Sequence, residues 1–133
     1  MFVLRFEDDG NSKMLYAILC YSNESVVGAW SREKDDAVMA EHRIVMDRLA
    51  AKGKLGPVAR LMPTTAATTL RAGREPLVID GPFAETKEQF LGFYVVDCET
   101  LEEVLEAARG LIGETGALEI RPVRAFFPGG AVT

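Results

Sequence analysis

The chain predicts an α+β fold of the ferredoxin-like kind, βαββαβ, with both helices on one face of an antiparallel sheet. Three observations carry this reading. Two segments of helical period, each opened by a capping residue, alternate with short apolar segments that read as strands. With one hairpin set aside, the order is strand–helix–strand twice over, the split βαβ arrangement. At 133 residues, 48% hydrophobic and 26% charged, the chain has the material for one domain with its own core.

The elements follow in order. Residues 1–13 stand apart, because Asp8-Asp9-Gly10-Asn11-Ser12-Lys13 is polar and turn-forming. They read as an extension, an alternative start or added residues. The domain is placed at residues 14–127, with 128–133 as a tail. Met14 to Tyr21 is apolar on both faces, which predicts a buried central strand. After the polar stretch Ser22 to Ser25, Ser31 is the expected N-cap of the first helix. Glu33, Asp35 and Asp36 load its first turns with negative charge, and it runs to Lys52 and stops at Gly53.

Leu55 to Leu61 is the next strand, where Pro57 requires an edge, a bulge or a strand start. Thr68–Arg71 and Leu77–Asp80, separated by turn residues, predict the inserted hairpin. Gly81-Pro82 halts it, and Phe90 to Cys98 forms another apolar strand with Phe90, Gly92, Tyr94 and Val96 on one face and Leu91, Phe93 and Val95 on the other. Thr100-Leu101-Glu102-Glu103 is a capping box, followed by the stripe Leu101, Val104, Leu105, Ala108 and Leu111. Ala117 to Val123 is the last strand. The sheet face left open by the helices is still apolar, and a second copy of the chain is its simplest cover, so a homodimer is expected.

Composition excludes several function classes. The net charge is −5 and the basic residues are scattered, which argues against nucleic acid as a partner. No apolar run reaches the length of a membrane span. Glu7-Asp8-Asp9 interrupts the place where a secretory signal keeps its apolar core, so a cytoplasmic location is expected. Cys20 and Cys98 fall in predicted strands and read as buried free thiols. One histidine and two distant cysteines do not make a zinc set, and no phosphate-loop or dinucleotide glycine pattern is present. No metal or cofactor is expected.

Four places can carry chemistry. His42, the only histidine, falls in the middle of the apolar stripe Val38, Met39, Val45, Met46 and Leu49 of the first helix. It is either a core histidine bonded to one backbone carbonyl, or a desolvated imidazole acting as general base or hydrogen-bond anchor. Asp80-Gly81-Pro82-Phe83 is a rigid turn that fixes Asp80 and Phe83 relative to each other. It is either a strand-ending turn with Asp80 bonded to nearby N–H groups, or a ligand-facing acid and aromatic ring. Glu85, Lys87 and Glu88 are either a solvated loop or a carboxylate and an ammonium at a pocket mouth. Arg121 either pairs with a carboxylate at the sheet edge or anchors an anion.

Five separated segments also resemble a known family, in the same order along the chain. They are Met14-Leu15-Tyr16, Pro63 to Arg71, Asp80 to Glu88, Gly92-Phe93-Tyr94 and Glu119 to Val123. Together they resemble the DGPF branch of the YCII-related family. The resemblance implies a dimeric α-β barrel with a ferredoxin-like core. It also implies a His–Asp site, in which His42, eleven residues before the glycine that ends the helix, fills the histidine's place and Asp80 is the candidate acid. DGPF proteins are encoded beside extracytoplasmic-function sigma factors, which implies a regulatory or accessory role as the competitor to enzymology. A small-molecule enzyme or binder predicts a concave pocket holding His42; a regulatory module predicts a flat exposed patch and no pocket; a purely structural dimer predicts neither. The first is favoured, because a histidine centred in an apolar stripe costs stability unless its ring nitrogens are satisfied.

Overall fold

The computed structural model describes residues 14–130. The expected N-terminal extension and the last residues of the expected tail lie outside the described residues. The chain builds β1 (Met14–Ser22), α1 (Glu24–Gly28), α2 (Arg32–Ala51), β2 (Leu55–Arg60), β3 (Thr68–Arg71), β4 (Leu77–Asp80), β5 (Gln89–Cys98), α3 (Leu101–Arg109) and β6 (Ala117–Pro122). Four strands form an antiparallel sheet in the order β2-β5-β1-β6, the ferredoxin-like arrangement the sequence predicts. β3 and β4 pair only with each other, as a separate two-stranded ribbon.

Alternation along β1 and β5 decides which face is the core. Tyr16 and Ile18 on β1, with Tyr94, Val96 and Cys98 on β5, turn towards the helices and are buried. Val45 and Leu49 of α2, Val104 and Ala108 of α3, and Leu111 close over them. The packing is uneven along α2. Its C-terminal half buries two side chains, while Val38 and Met39 in its N-terminal half are only half-buried. On α3 the expected stripe is narrower than drawn, since Leu101 and Leu105 are exposed. The opposite sheet face carries Leu15, Ala17 and Leu19, all half-buried.

The helix ends follow their sequence signals. The Ser31 hydroxyl accepts from the Lys34 N–H at 3.1 Å, and Gly53 takes φ 69° where α2 stops. The Thr100 hydroxyl accepts from the Glu103 N–H at 3.2 Å. The Glu103 carboxylate returns to the Glu99 N–H at 3.0 Å, one residue before the cap. Pro57 sits on the edge strand, where the β2–β5 register slips between Leu55 and Val58.

Two short elements are additions to the sequence reading. The stretch taken as polar linker after β1 holds α1, capped by the Asn23 side chain accepting from the Ser25 N–H at 2.9 Å. Thr64–Ala66 forms one turn of 3₁₀ helix ahead of the ribbon. Both are too short for an apolar period to emerge.

Candidate functional site

Where the N-terminal half of α2 stands off the sheet, a cleft of about 1090 Å³ opens between them. Its floor is polar in one place. His42, from α2, meets Tyr94, from β5, with Nδ1 2.7 Å from the phenol oxygen. Each ring needs the other. Tyr94 points to the helix side of the sheet, where its hydroxyl has to find a partner, and His42 lies on the buried stripe of its helix. Among the described residues no buried side-chain nitrogen or oxygen is left without a partner.

The surroundings hold the His42–Tyr94 pair towards its uncharged form. Burial pushes the His42 imidazole below its ordinary value, and the Arg60 cation pushes the same way. The nearby Leu111 backbone and Glu41 oppose this in part. Nδ1 and the Tyr94 hydroxyl share this one hydrogen bond, and the tautomer of the ring sets which of them donates. Burial pushes the Tyr94 phenol up to about 12. The pair is therefore a neutral imidazole and a neutral phenol sharing one proton path into the cleft.

Arg60 stands beside them on β2. Its guanidinium donates to both oxygens of Asp35, from Nη1 at 3.1 Å and from Nη2 at 2.6 Å. The hydrogen bond to Asp35 raises the Arg60 pKa, and the same bond lowers that of Asp35. Cys20 also borders the cleft, but burial raises its thiol to about 11, so it is no nucleophile at neutral pH. Trp30 and Lys34 lie at the mouth, with the ammonium 5.7 Å from the ring centre.

A second, smaller cavity of about 380 Å³ adjoins the Gly81-Pro82 turn. Glu24 and Glu85 are its acidic groups, and Glu24 is fully engaged. Its carboxylate accepts the Thr64 hydroxyl and, at 2.9 Å, the Thr64 N–H, while its own N–H donates to Gln89 at 2.9 Å. The Thr64 hydroxyl, then the Thr64 N–H, holds the Glu24 pKa below the usual range. This is a strap joining α1, the 3₁₀ turn and β5.

The residues singled out from sequence are scattered over these features. His42 lines the large cleft and Glu85 the small one. Asp80 ends β4 opposite Thr68, is exposed and lines neither. Among the described residues its carboxylate takes no hydrogen bond. The turn is held by Gly81, at φ 99°, donating to the Ala67 carbonyl at 2.8 Å, and by the Thr69 hydroxyl donating to the Gly81 carbonyl at 2.7 Å. Phe83 is 77% exposed, and Lys87 is exposed in the loop beyond. Arg121 is in register with Ala17, so it lies on the sheet face away from the helices, and among the described residues it makes no ion pair. The structure thus brings Tyr94 and Arg60 to His42, and Asp80 is not beside it.

Sequence reasoning passed over Tyr94, Arg60 and Asp35. Tyr94 had a usable signal, a phenol on the helix-facing side of a core strand. Arg60 and Asp35 had none, since each reads as an ordinary surface charge. Neither helix-spanning membrane segments nor metal-ligand clusters occur among the described residues: no helix is long and apolar enough to cross a bilayer, and no three His, Cys, Asp or Glu side chains converge.

Comparison with known proteins gives a consistent picture. A family model described as a YCII-related domain matches residues 14–127. Over 120 residues the chain is 55% identical to a protein of Rhizobium meliloti (strain 1021) described as uncharacterized, a match covering 87% of this chain and 97% of that one.

Proposed function

Because the chain belongs to the YCII-related family, we propose that it is a homodimeric, cytoplasmic small-molecule protein of the DGPF branch, in which the His42–Tyr94 pair handles a proton of the ligand. The observation that supports this most directly is the 2.7 Å hydrogen bond between a neutral imidazole and a phenol at the floor of a large cleft. A neutral, partly desolvated imidazole is a competent general base, and the phenol behind it fixes the ring and can return a proton. In this reading Tyr94 takes the place beside His42 for which the family resemblance makes Asp80 the candidate. Asp80, Phe83 and Lys87 belong to the exposed ribbon and its turn, and act there if they meet a second copy.

The test is an NMR titration of His42 with and without a pool of small metabolites. A pKa below 6.5 that changes in Tyr94→Phe, together with ligand-dependent shifts of the ring protons, supports the pair. A His42→Ala protein that binds and turns over every ligand of the parent sinks it. Sedimentation of the same sample tests the dimer.

A regulatory module in an extracytoplasmic-function sigma-factor pathway is the second reading. One observation favours it: Leu70, Val78 and Phe83 give the ribbon and its turn an exposed apolar surface. Capture of a sigma factor by the parent, lost in Phe83→Ser but kept in His42→Ala, would choose this reading over catalysis.

A further inference from the structure

Arg60 borders the cleft, and Asp35 does not. The carboxylate thus grips the guanidinium from outside the cleft and fixes its plane. An arginine carries five N–H donors, and Asp35 takes two of them. The remaining donors are left beside Tyr94 and His42, whose titrations both feel the Arg60 charge. A guanidinium oriented by a carboxylate at its back suits a second planar anion at its front.

Two further observations narrow that anion. The charged side chains around the cleft include Glu33, Asp36, Glu41 and Glu114 against Lys34, Arg43 and Arg60. With four carboxylates to three cations, the rim repels a doubly charged phosphate more than a singly charged carboxylate. The walls away from Arg60 are apolar, formed by Val38, Met39 and Met46 of α2 facing Leu118 of β6, with Trp30 at the mouth. Such a surface holds a hydrocarbon or aromatic body and leaves one end for recognition.

From this geometry we infer that the cleft takes a small monocarboxylate on an apolar or aromatic body, its carboxylate read by Arg60 and its body lying against α2. The inference rests on the reading of the cleft as a ligand site and adds the ligand's class. It also sets the reaction centre: an acid anchored at Arg60 brings the carbon next to its carboxylate towards the His42–Tyr94 pair.

Trp30 is the only tryptophan and borders the cleft, so emission excited selectively at tryptophan reports on it. The full chain is titrated with benzoate, phenylacetate and hydrocinnamate, then with the corresponding amides, and with phenyl phosphate. The carboxylates are expected to change the emission saturably, and to bind roughly 10-fold or more tightly than the amides, as a charge-assisted contact implies. Arg60→Gln should remove that preference, Arg60→Lys should restore it in part, and thermal melts establish that both variants fold. Amides binding as well as carboxylates, or phenyl phosphate binding more tightly, overturns the carboxylate assignment and leaves the cleft a ligand site. No response to any probe, in emission or in the His42 ring protons, overturns both. Carboxylate binding that survives His42→Gln but not Arg60→Gln upholds this inference while removing the histidine from recognition.

Discussion

His42 titrates in a window that its surroundings set. Burial lowers its folded-state pKa below the ordinary 6.5, so between those two values the unfolded chain binds more protons than the folded one. Unfolding free energy therefore rises with pH across that window, and stability falls as pH drops through 6.5. Urea melts at a series of pH values should show this slope, and His42→Gln should flatten it. The Asp35 and Glu24 carboxylates, whose pKa values are lowered, lose their contributions only at more acid pH, so the windows separate. Tyr94→Phe strips a half-buried ring nitrogen of its hydrogen-bond partner and should cost about 1–3 kcal/mol, read by the same melts. At this scale the sequence showed that His42 needed a partner but not which one. The two residues are 52 apart in sequence, and only the docking of α2 on the sheet decides which side chain it meets.

Elements were legible wherever a local signal fixed them. Ser31 and Thr100 each cap a helix through one hydroxyl, so either residue replaced by alanine should lower stability by about 1 kcal/mol in thermal or urea melts. Gly92 is different, because its role lies between strands. A Cβ there would stand 2.5 Å from the Ala59 carbonyl oxygen, so Gly92→Ala has to push β2 away from β5. Overpacking of that kind costs about 1–3 kcal/mol. Because β2 carries Arg60, the same substitution should also weaken ligand binding at the cleft, a loss that the cap variants should not share. The limits of legibility had equally local causes. α1 and the 3₁₀ turn are too short for periodicity, and the Glu24–Thr64 strap joins residues 40 apart that are both ordinary loop formers.

At the scale of the whole molecule, the described fold leaves apolar side chains of its ribbon uncovered. The β3–β4 ribbon is a lone pair of strands, marginal by itself in water, with Leu70 at 69% and Val78 at 64% exposure. If the proposed homodimer covers it, Val78→Lys should yield a monomer by sedimentation with a far-UV spectrum close to the parent's, since Val78 lies outside the main core. A dimer that persists would place the interface elsewhere. The topology has a separate consequence for synthesis. β1 finds its neighbours in β5 and β6, so the first strand of the domain cannot pair in the sheet until β5, more than 65 residues later, has left the ribosome. Until then Leu15, Ile18 and Leu19 belong to a bare apolar segment, a natural ligand for holding chaperones. A circular permutant that begins in the loop before β5 would make β1's partner early, and should fold faster and aggregate less during translation.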